Sequence, residues 1–83
     1  MPRYFFNLAG AFHDPDNRGF ELADLDAARK MAAVHAGELL RDRPEVAWLG
    51  DELRVEVTNA DKLLLFTLIV FGVDAPSTSA IRR

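Results

Sequence analysis

The chain has 83 residues, of which 49% are hydrophobic and 28% are charged, and its formal net charge is −3. This length allows one domain, and the composition is typical of a folded globular protein and too apolar for intrinsic disorder. The acidic balance argues against nucleic-acid binding, because phosphate neutralisation needs clustered Lys and Arg. The absence of cysteine excludes disulfides, thiolate nucleophiles and cysteine-based metal sites.

The N-terminus shows no basic leader followed by an apolar stretch, so the sequence predicts no export signal. The main apolar run, Leu63–Val73, is too short to cross a bilayer, which needs about 20 residues. We therefore expect a cytoplasmic protein with no membrane partner.

Residues 3–8 are rich in aromatic side chains and predict a first strand. Its two faces would carry Tyr4, Phe6 and Leu8 on one side, and Phe5 and Asn7 on the other. Residues 14–19 have the composition of a turn, and Gly19 is predicted to adopt a positive φ angle there. Residues 20–22 would then return as a short second strand of a hairpin.

A long helix is predicted to begin after Asp24, which has the properties of an N-cap, and to end before Pro44. Apolar residues recur at steps of three and four, which predicts one narrow buried stripe of Leu25, Ala28, Ala32, His35 and Leu39. The connector at residues 45–50 is either a single helical turn or irregular, and Trp48 is predicted to close one end of the core.

Residues 52–58 alternate between apolar and polar, which is typical of a strand with one solvated face. A turn at residues 59–62 leads into the apolar run. If that turn is symmetric, Val57 opposes Leu64 and Val55 opposes Phe66. One face of the last strand then carries Leu64, Phe66, Leu68 and Val70, and the other face carries Leu65, Thr67, Ile69 and Phe71.

These elements predict an α+β domain over residues 1–74 in the order β-β-α-β-β. Three or four strands form a mostly antiparallel sheet, and the one long helix packs on one of its faces. Residues 75–83 are predicted to form a flexible C-terminal tail.

Four segments of the chain resemble a family of small alphaproteobacterial proteins that is known only as a domain of unknown function: Met1-Pro-Arg-Tyr-Phe-Phe6, Gly19-Phe-Glu-Leu22, Asp24-Leu-Asp-Ala-Ala28 and Arg54-Val-Glu-Val-Thr58. The resemblance covers about residues 1–70, and it implies no catalytic residues. Similar proteins often have a glycine in the second hairpin turn, where Asn59 or Asp61 would serve in this chain.

The sequence predicts no metal, cofactor or catalytic site. Asp14 and Asp16 have the spacing of the start of a calcium loop. Arg18 and Leu25 nevertheless stand where such a loop needs an oxygen ligand and a bidentate Glu. Both serines lie in the tail, no glycine-rich phosphate loop is present, and the two histidines lack zinc-ligand spacing.

Two carboxylate pairs could in principle support acid–base chemistry, Asp24 with Asp26 and Asp51 with Glu52. The first is explained by a helix start, and the second flanks a strand. We therefore predict that the protein is not an enzyme.

The last strand is apolar on both faces, but one helix can cover only one face of the sheet. The sequence thus predicts a homodimer, with an interface formed by Phe5, Leu65, Thr67, Ile69 and Phe71. Both sheet-to-sheet packing and edge-strand pairing would satisfy this prediction. The favoured function is a non-enzymatic, homo-oligomeric protein-interaction module. Two alternatives are a small regulatory or antitoxin-like protein that binds a protein partner, and a ligand binder or enzyme with a pocket at a subunit interface.

Overall fold

The computed structural model describes residues 1–81, which form one four-stranded sheet and a long helix. The strands are β1 (Arg3–Gly10), β2 (Phe20–Glu21), β3 (Leu53–Thr58) and β4 (Leu64–Val70). The helices are α1 (Leu25–Asp42), a 3-10 helix (Pro44–Trp48) and a short α2 (Thr78–Ile81). Every strand pair is antiparallel, in the order β2-β1-β3-β4. The predicted α+β fold is therefore confirmed.

The predicted tail contains the short helix α2. Residues 82 and 83 lie outside the described residues, and the flexibility of the tail stays a prediction.

Local signals set both ends of α1 as predicted. The Asp24 side chain accepts the N–H of Ala27 at 2.9 Å, so it caps the first turn. At the other end the N–H of Arg43 bonds to the carbonyl of Leu39 at 2.7 Å, and Pro44 follows. The buried face of the helix consists of small residues that allow close contact with the sheet: Ala28, Ala32 and Ala36.

The core lies between α1 and the two central strands. β1 and β3 bury alternate side chains beneath the helix, namely Tyr4, Phe6, Val55 and Val57. Leu53 of β3 is also fully buried. At one side of this core the His35 ring stacks on Phe6, with 5.2 Å between ring centroids, and Phe20 meets His35 edge-on at 5.5 Å. His35 therefore serves as a packed aromatic ring, as its place on the predicted stripe indicates.

The register of the second hairpin differs from the prediction. Val57 opposes Phe66 and Val55 opposes Leu68, so each partner lies two residues further along β4 than expected. Side chains alternate with a period of two, so a shift of two keeps the same residues on the helix face. Phe66, Leu68 and Val70 accordingly pack against the core as predicted.

A bulge between Val57 and Thr58 changes the first residues of β4. Leu64 pairs with Thr58 and is 54% exposed, whereas Leu65 packs against the core. The predicted sides of Leu64 and Leu65 were therefore wrong. The physical reason is the extra residue of the bulge, which reverses the alternation at that point.

The turn before the bulge is asymmetric. The Asn59 side chain accepts the N–H groups of Asp61 and Leu63 at 2.9 and 3.0 Å. The positive φ angle, 65°, falls on Lys62 rather than on Asn59 or Asp61. The side chain of Asn59 thus organises a turn of residues 59–63, one residue longer than the predicted symmetric turn.

Trp48 does not close the core, because its side chain is 63% exposed. Val46 is the buried residue of the 3-10 helix. The Trp48 ring lies over Gly72, where an added Cβ would come within 2.7 Å of the ring. Gly72 also donates its N–H to the carbonyl of Ala47 at 3.1 Å, so the 3-10 helix is tied to the chain just beyond β4.

Candidate functional site

Strand β4 is strongly apolar and poorly buried. Six of its seven residues are apolar, and none of the seven is buried. In β3, by contrast, every second residue is buried. Ile69 is 53% exposed, and Phe71, just beyond the strand, is 56% exposed. The described chain is elongated, at 52 by 21 by 20 Å. The residues of β4 are incompletely covered on both faces of the sheet.

The position of β4 in the sheet adds a second exposed feature. β4 is a terminal strand of the sheet. Along its free side, alternate N–H and C=O groups therefore have no neighbouring strand to bond within residues 1–81. From Phe66 to Val70 the strand is regular and contains no charged residue, proline or glycine. Charged residues, prolines and irregularities are features that usually prevent one edge strand from pairing with another, and this part of β4 lacks them. We call this free side of residues 64–70 the open edge.

The opposite side of the sheet is closed by the segment at residues 14–19, which we call the acidic loop. Strand β2 covers only two residues of β1. Beyond β2, Asp14 exchanges two backbone hydrogen bonds with Leu8, each at 3.0 Å. Between these contacts the Asp16 carboxylate accepts the N–H of Phe6 at 3.0 Å. A side chain thus replaces a missing strand partner, and the acidic loop seals the β1 side of the sheet.

Asp16 also fixes the conformation of its own loop. It accepts the N–H groups of Arg18 and Gly19 at 2.9 and 3.0 Å. Partial burial favours the protonated acid, but the bonds from Gly19, Phe6 and Arg18 outweigh it and hold the pKa of Asp16 below its usual value of 3.8. Gly19 has a φ angle of 74°, which confirms that prediction. Both oxygens of Asp16 are occupied by backbone donors, so the calcium-like spacing has a structural explanation.

The face of the sheet turned away from α1, here called the outer face, is divided by a polar strip. Arg54 stands beside Ile69 on one side and Ala9 on the other. Its guanidinium pairs with Glu56 at 3.0 Å and with Glu52 at 3.4 Å. The hydrogen bond to Glu56 raises the pKa of Arg54. Charged and ion-paired residues of β3 therefore run along the middle of this face.

The structure separates the five residues of the predicted interface. Thr67 and Ile69 belong to the outer face of β4, and Phe71 follows the strand. Phe5 pairs with Thr58 on the far side of β3, and Leu65 packs against the core. The predicted residues thus do not form one patch, and three of them lie together along β4.

Sequence reasoning missed the exposure of three apolar residues close to the C-terminal end of β4. Trp48 and Leu49 are 63% and 57% exposed, and Val73 is 71% exposed. Because Trp48 lies on Gly72, it is a close neighbour of Phe71. The available signal was Gly72, whose lack of a side chain within an apolar run makes room for a ring.

A depression of about 470 Å³ lies over Phe5, between the acidic loop and the turn at residues 58–62. Three of the polar side chains that line it, Asn7, Asp16 and Asn59, already have protein partners. Asn7 accepts the N–H of Asp16 at 2.9 Å and donates to the carbonyl of Glu56 at 3.1 Å. Within residues 1–81 no group of three or more His, Asp or Glu side chains could hold a metal ion. The absence of a metal and a cofactor stays a prediction.

Among the described helices, none is both long enough and apolar enough to cross a membrane.

The two predicted carboxylate pairs have local roles, since Asp24 caps α1 and Asp26 pairs with Lys30 at 3.2 Å. Asp51 accepts the N–H of Glu52 at 2.9 Å.

Comparisons with known proteins identify the family of the chain. No curated protein and no solved structure matches it significantly. The model of one family, described as a domain of unknown function (DUF6894), matches residues 3–82, which is nearly the whole chain. The chain therefore belongs to the DUF6894 family, in agreement with the resemblance found in its sequence.

Proposed function

We propose that this protein is a non-enzymatic interaction module that forms a homodimer through β4. The observation that carries this proposal is a terminal strand with six apolar residues out of seven and no buried residue. Monomeric proteins rarely leave a large continuous apolar surface in water. A two-fold contact between identical copies is the commonest arrangement that covers such a surface.

The charge distribution favours a second copy as the partner. The whole chain has a net charge of −3, but β4 carries no charged side chain. Two copies can therefore bring these strands together without placing like charges opposite each other. The ion-paired residues Arg54 and Glu56 belong to the neighbouring strand β3, so they can remain in water.

A pair of matched variants tests this proposal. Ile69 and Val34 have nearly equal exposed fractions, 53% and 54%, but Val34 lies on α1. Ile69→Glu places a charge on β4, directly across from Arg54, where an ion pair can compensate within the monomer. Val34→Glu makes the same chemical change away from the sheet.

Light scattering after gel filtration, at protein concentrations of tens of micromolar, measures the mass of each variant. We expect a dimer for the unmodified chain and for Val34→Glu, and a folded monomer for Ile69→Glu. A monomeric unmodified chain would refute the proposal. A dimer that Ile69→Glu leaves as tight as before would show that the apolar outer face of β4 is not part of the contact.

The cytoplasmic location and the lack of enzymatic activity are part of this proposal. The two alternatives, an antitoxin-like partner protein and a ligand site at a subunit interface, stay predictions, since no contact among the described residues favours either.

A further inference from the structure

We infer that the dimer forms by edge-to-edge pairing, in which β4 of one copy aligns antiparallel with β4 of the second copy in one continuous eight-stranded sheet. This inference rests on the proposed function, and it selects one of the two geometries that the sequence leaves open. The two-fold axis would run perpendicular to the sheet, so both α1 helices would lie on the same side. The partner is thus a second copy of this chain, bound through the open edge.

Sheet-to-sheet packing is disfavoured by the polar strip on the outer face. Stacking two outer faces would bury Arg54 and its partners Glu52 and Glu56, which now keep about a third of their side-chain surface in contact with water. Removing paired charges from water costs free energy that their mutual attraction does not always restore. The apolar residues that would gain are also dispersed, because β3 stands between Phe5 and Ile69.

Edge pairing covers β4 on both faces at once. On the helix face Phe66, Leu68 and Val70 are only partly buried. On the outer face Leu64 and Ile69 are more than half exposed. A strand added about 4.8 Å away places equivalent apolar side chains beside both sets. A contact through the outer face alone would leave the helix-face residues of β4 as exposed as they are now.

Backbone hydrogen bonding points to the same geometry and also limits the size of the assembly. The open edge offers N–H and C=O groups to another strand. At the other end of the sheet the terminal strand β2 is only two residues long, and the acidic loop covers β1 beyond it through Asp14 and the carboxylate of Asp16. In a two-fold dimer both open edges are used, and each end of the eight-stranded sheet is a two-residue β2 strand, which is too short to pair well with a further copy. The described part of the chain therefore predicts association that stops at two copies.

Amide hydrogen exchange, resolved by residue with NMR, tests the inference. In a single antiparallel pair only every second residue of β4 bonds its N–H to β3. An edge-paired dimer also protects the alternate set, so consecutive amides from Phe66 to Val70 should exchange slowly. In the Ile69→Glu variant the alternate set should exchange about tenfold faster or more, while the set bonded to β3 remains protected.

The outcomes separate this inference from the proposed function. A dimer whose alternate β4 amides exchange as fast as those of Ile69→Glu would overturn edge pairing and leave the dimer standing. A chain that stays monomeric at NMR concentration would overturn both. Growth beyond two copies in light scattering would also contradict the inference, because it would mean that a second edge is available for pairing.

Discussion

The Asp16 carboxylate provides a sharp test of how the acidic loop is held. It accepts three backbone N–H groups, from Phe6, Arg18 and Gly19, at 2.9–3.0 Å. One oxygen serves Arg18 and Gly19, and the other serves Phe6. Asp16→Asn keeps the shape of the side chain but replaces one oxygen with an amide donor, which must then face an N–H group. At least one hydrogen bond is lost, and those that remain are no longer to a charged acceptor.

The size of the expected loss of stability follows from these hydrogen bonds. A hydrogen bond to a charged group contributes about 1.5–3 kcal/mol, and leaving the part-buried Phe6 N–H without an acceptor adds a further penalty. Because the loop also keeps some access to water, we expect Asp16→Asn to lower the free energy of unfolding by about 2–3 kcal/mol. For a domain of this size each kcal/mol corresponds to about 4–8 °C in Tm, so Tm should fall by about 10 °C or more.

Urea unfolding at neutral pH, followed by far-UV circular dichroism, measures this loss. Protein concentration is held constant, because dimerisation would add to the apparent stability. Asp14→Asn is the matched control: it removes the same charge from an exposed position in the same loop, where the backbone makes the contact to Leu8. Its effect should stay within about 0.5 kcal/mol. Equal losses in the two variants would refute the structural role of the Asp16 side chain.

Three further predictions concern pH, backbone strain and metals. The pKa of Asp16 is lower in the folded chain than its usual 3.8, so its stabilising contribution is complete above that value and is lost as the pH falls below it. The stability difference between the unmodified chain and Asp16→Asn should therefore shrink between about pH 5 and pH 2, and a difference independent of pH would contradict this. Gly50→Ala should lower the free energy of unfolding by about 1–2 kcal/mol, because the φ angle of Gly50 is 87°. Gly19→Ala should lower it by at least about 1 kcal/mol more, because the added Cβ would also lie 2.9 Å from the Tyr4 carbonyl oxygen. Equal losses in urea unfolding would show that the loop moves aside. Neither a chelator nor millimolar calcium should change Tm, and a shift of more than a few degrees would reveal a metal site.

Element types and helix ends were predictable because local residues determine them. Asp24 and Pro44 bound α1 by hydrogen bonding and by steric restriction of the backbone. The register of the second hairpin was not predictable in the same way. It depends on an extra β4 residue opposite the step from Val57 to Thr58 and on a positive φ angle at Lys62. A glycine would indicate a positive φ angle, but a lysine does not.

The candidate interface was only partly predictable because it depends on strand order. The sequence shows that Phe5 and Ile69 are apolar, but only the sheet shows that β3 separates them. Hydrophobicity also does not reveal burial, as the exposed Trp48 demonstrates. The surplus of apolar residues in β4, in contrast, was visible from its composition alone.

Sedimentation equilibrium over about 1–200 µM tests most directly whether β4 mediates self-association. We predict one monomer–dimer equilibrium for the unmodified chain, with a mass that approaches two chains and does not exceed it, and the mass of a single chain for Ile69→Glu throughout. A single-chain mass for the unmodified protein at every concentration would contradict the proposal.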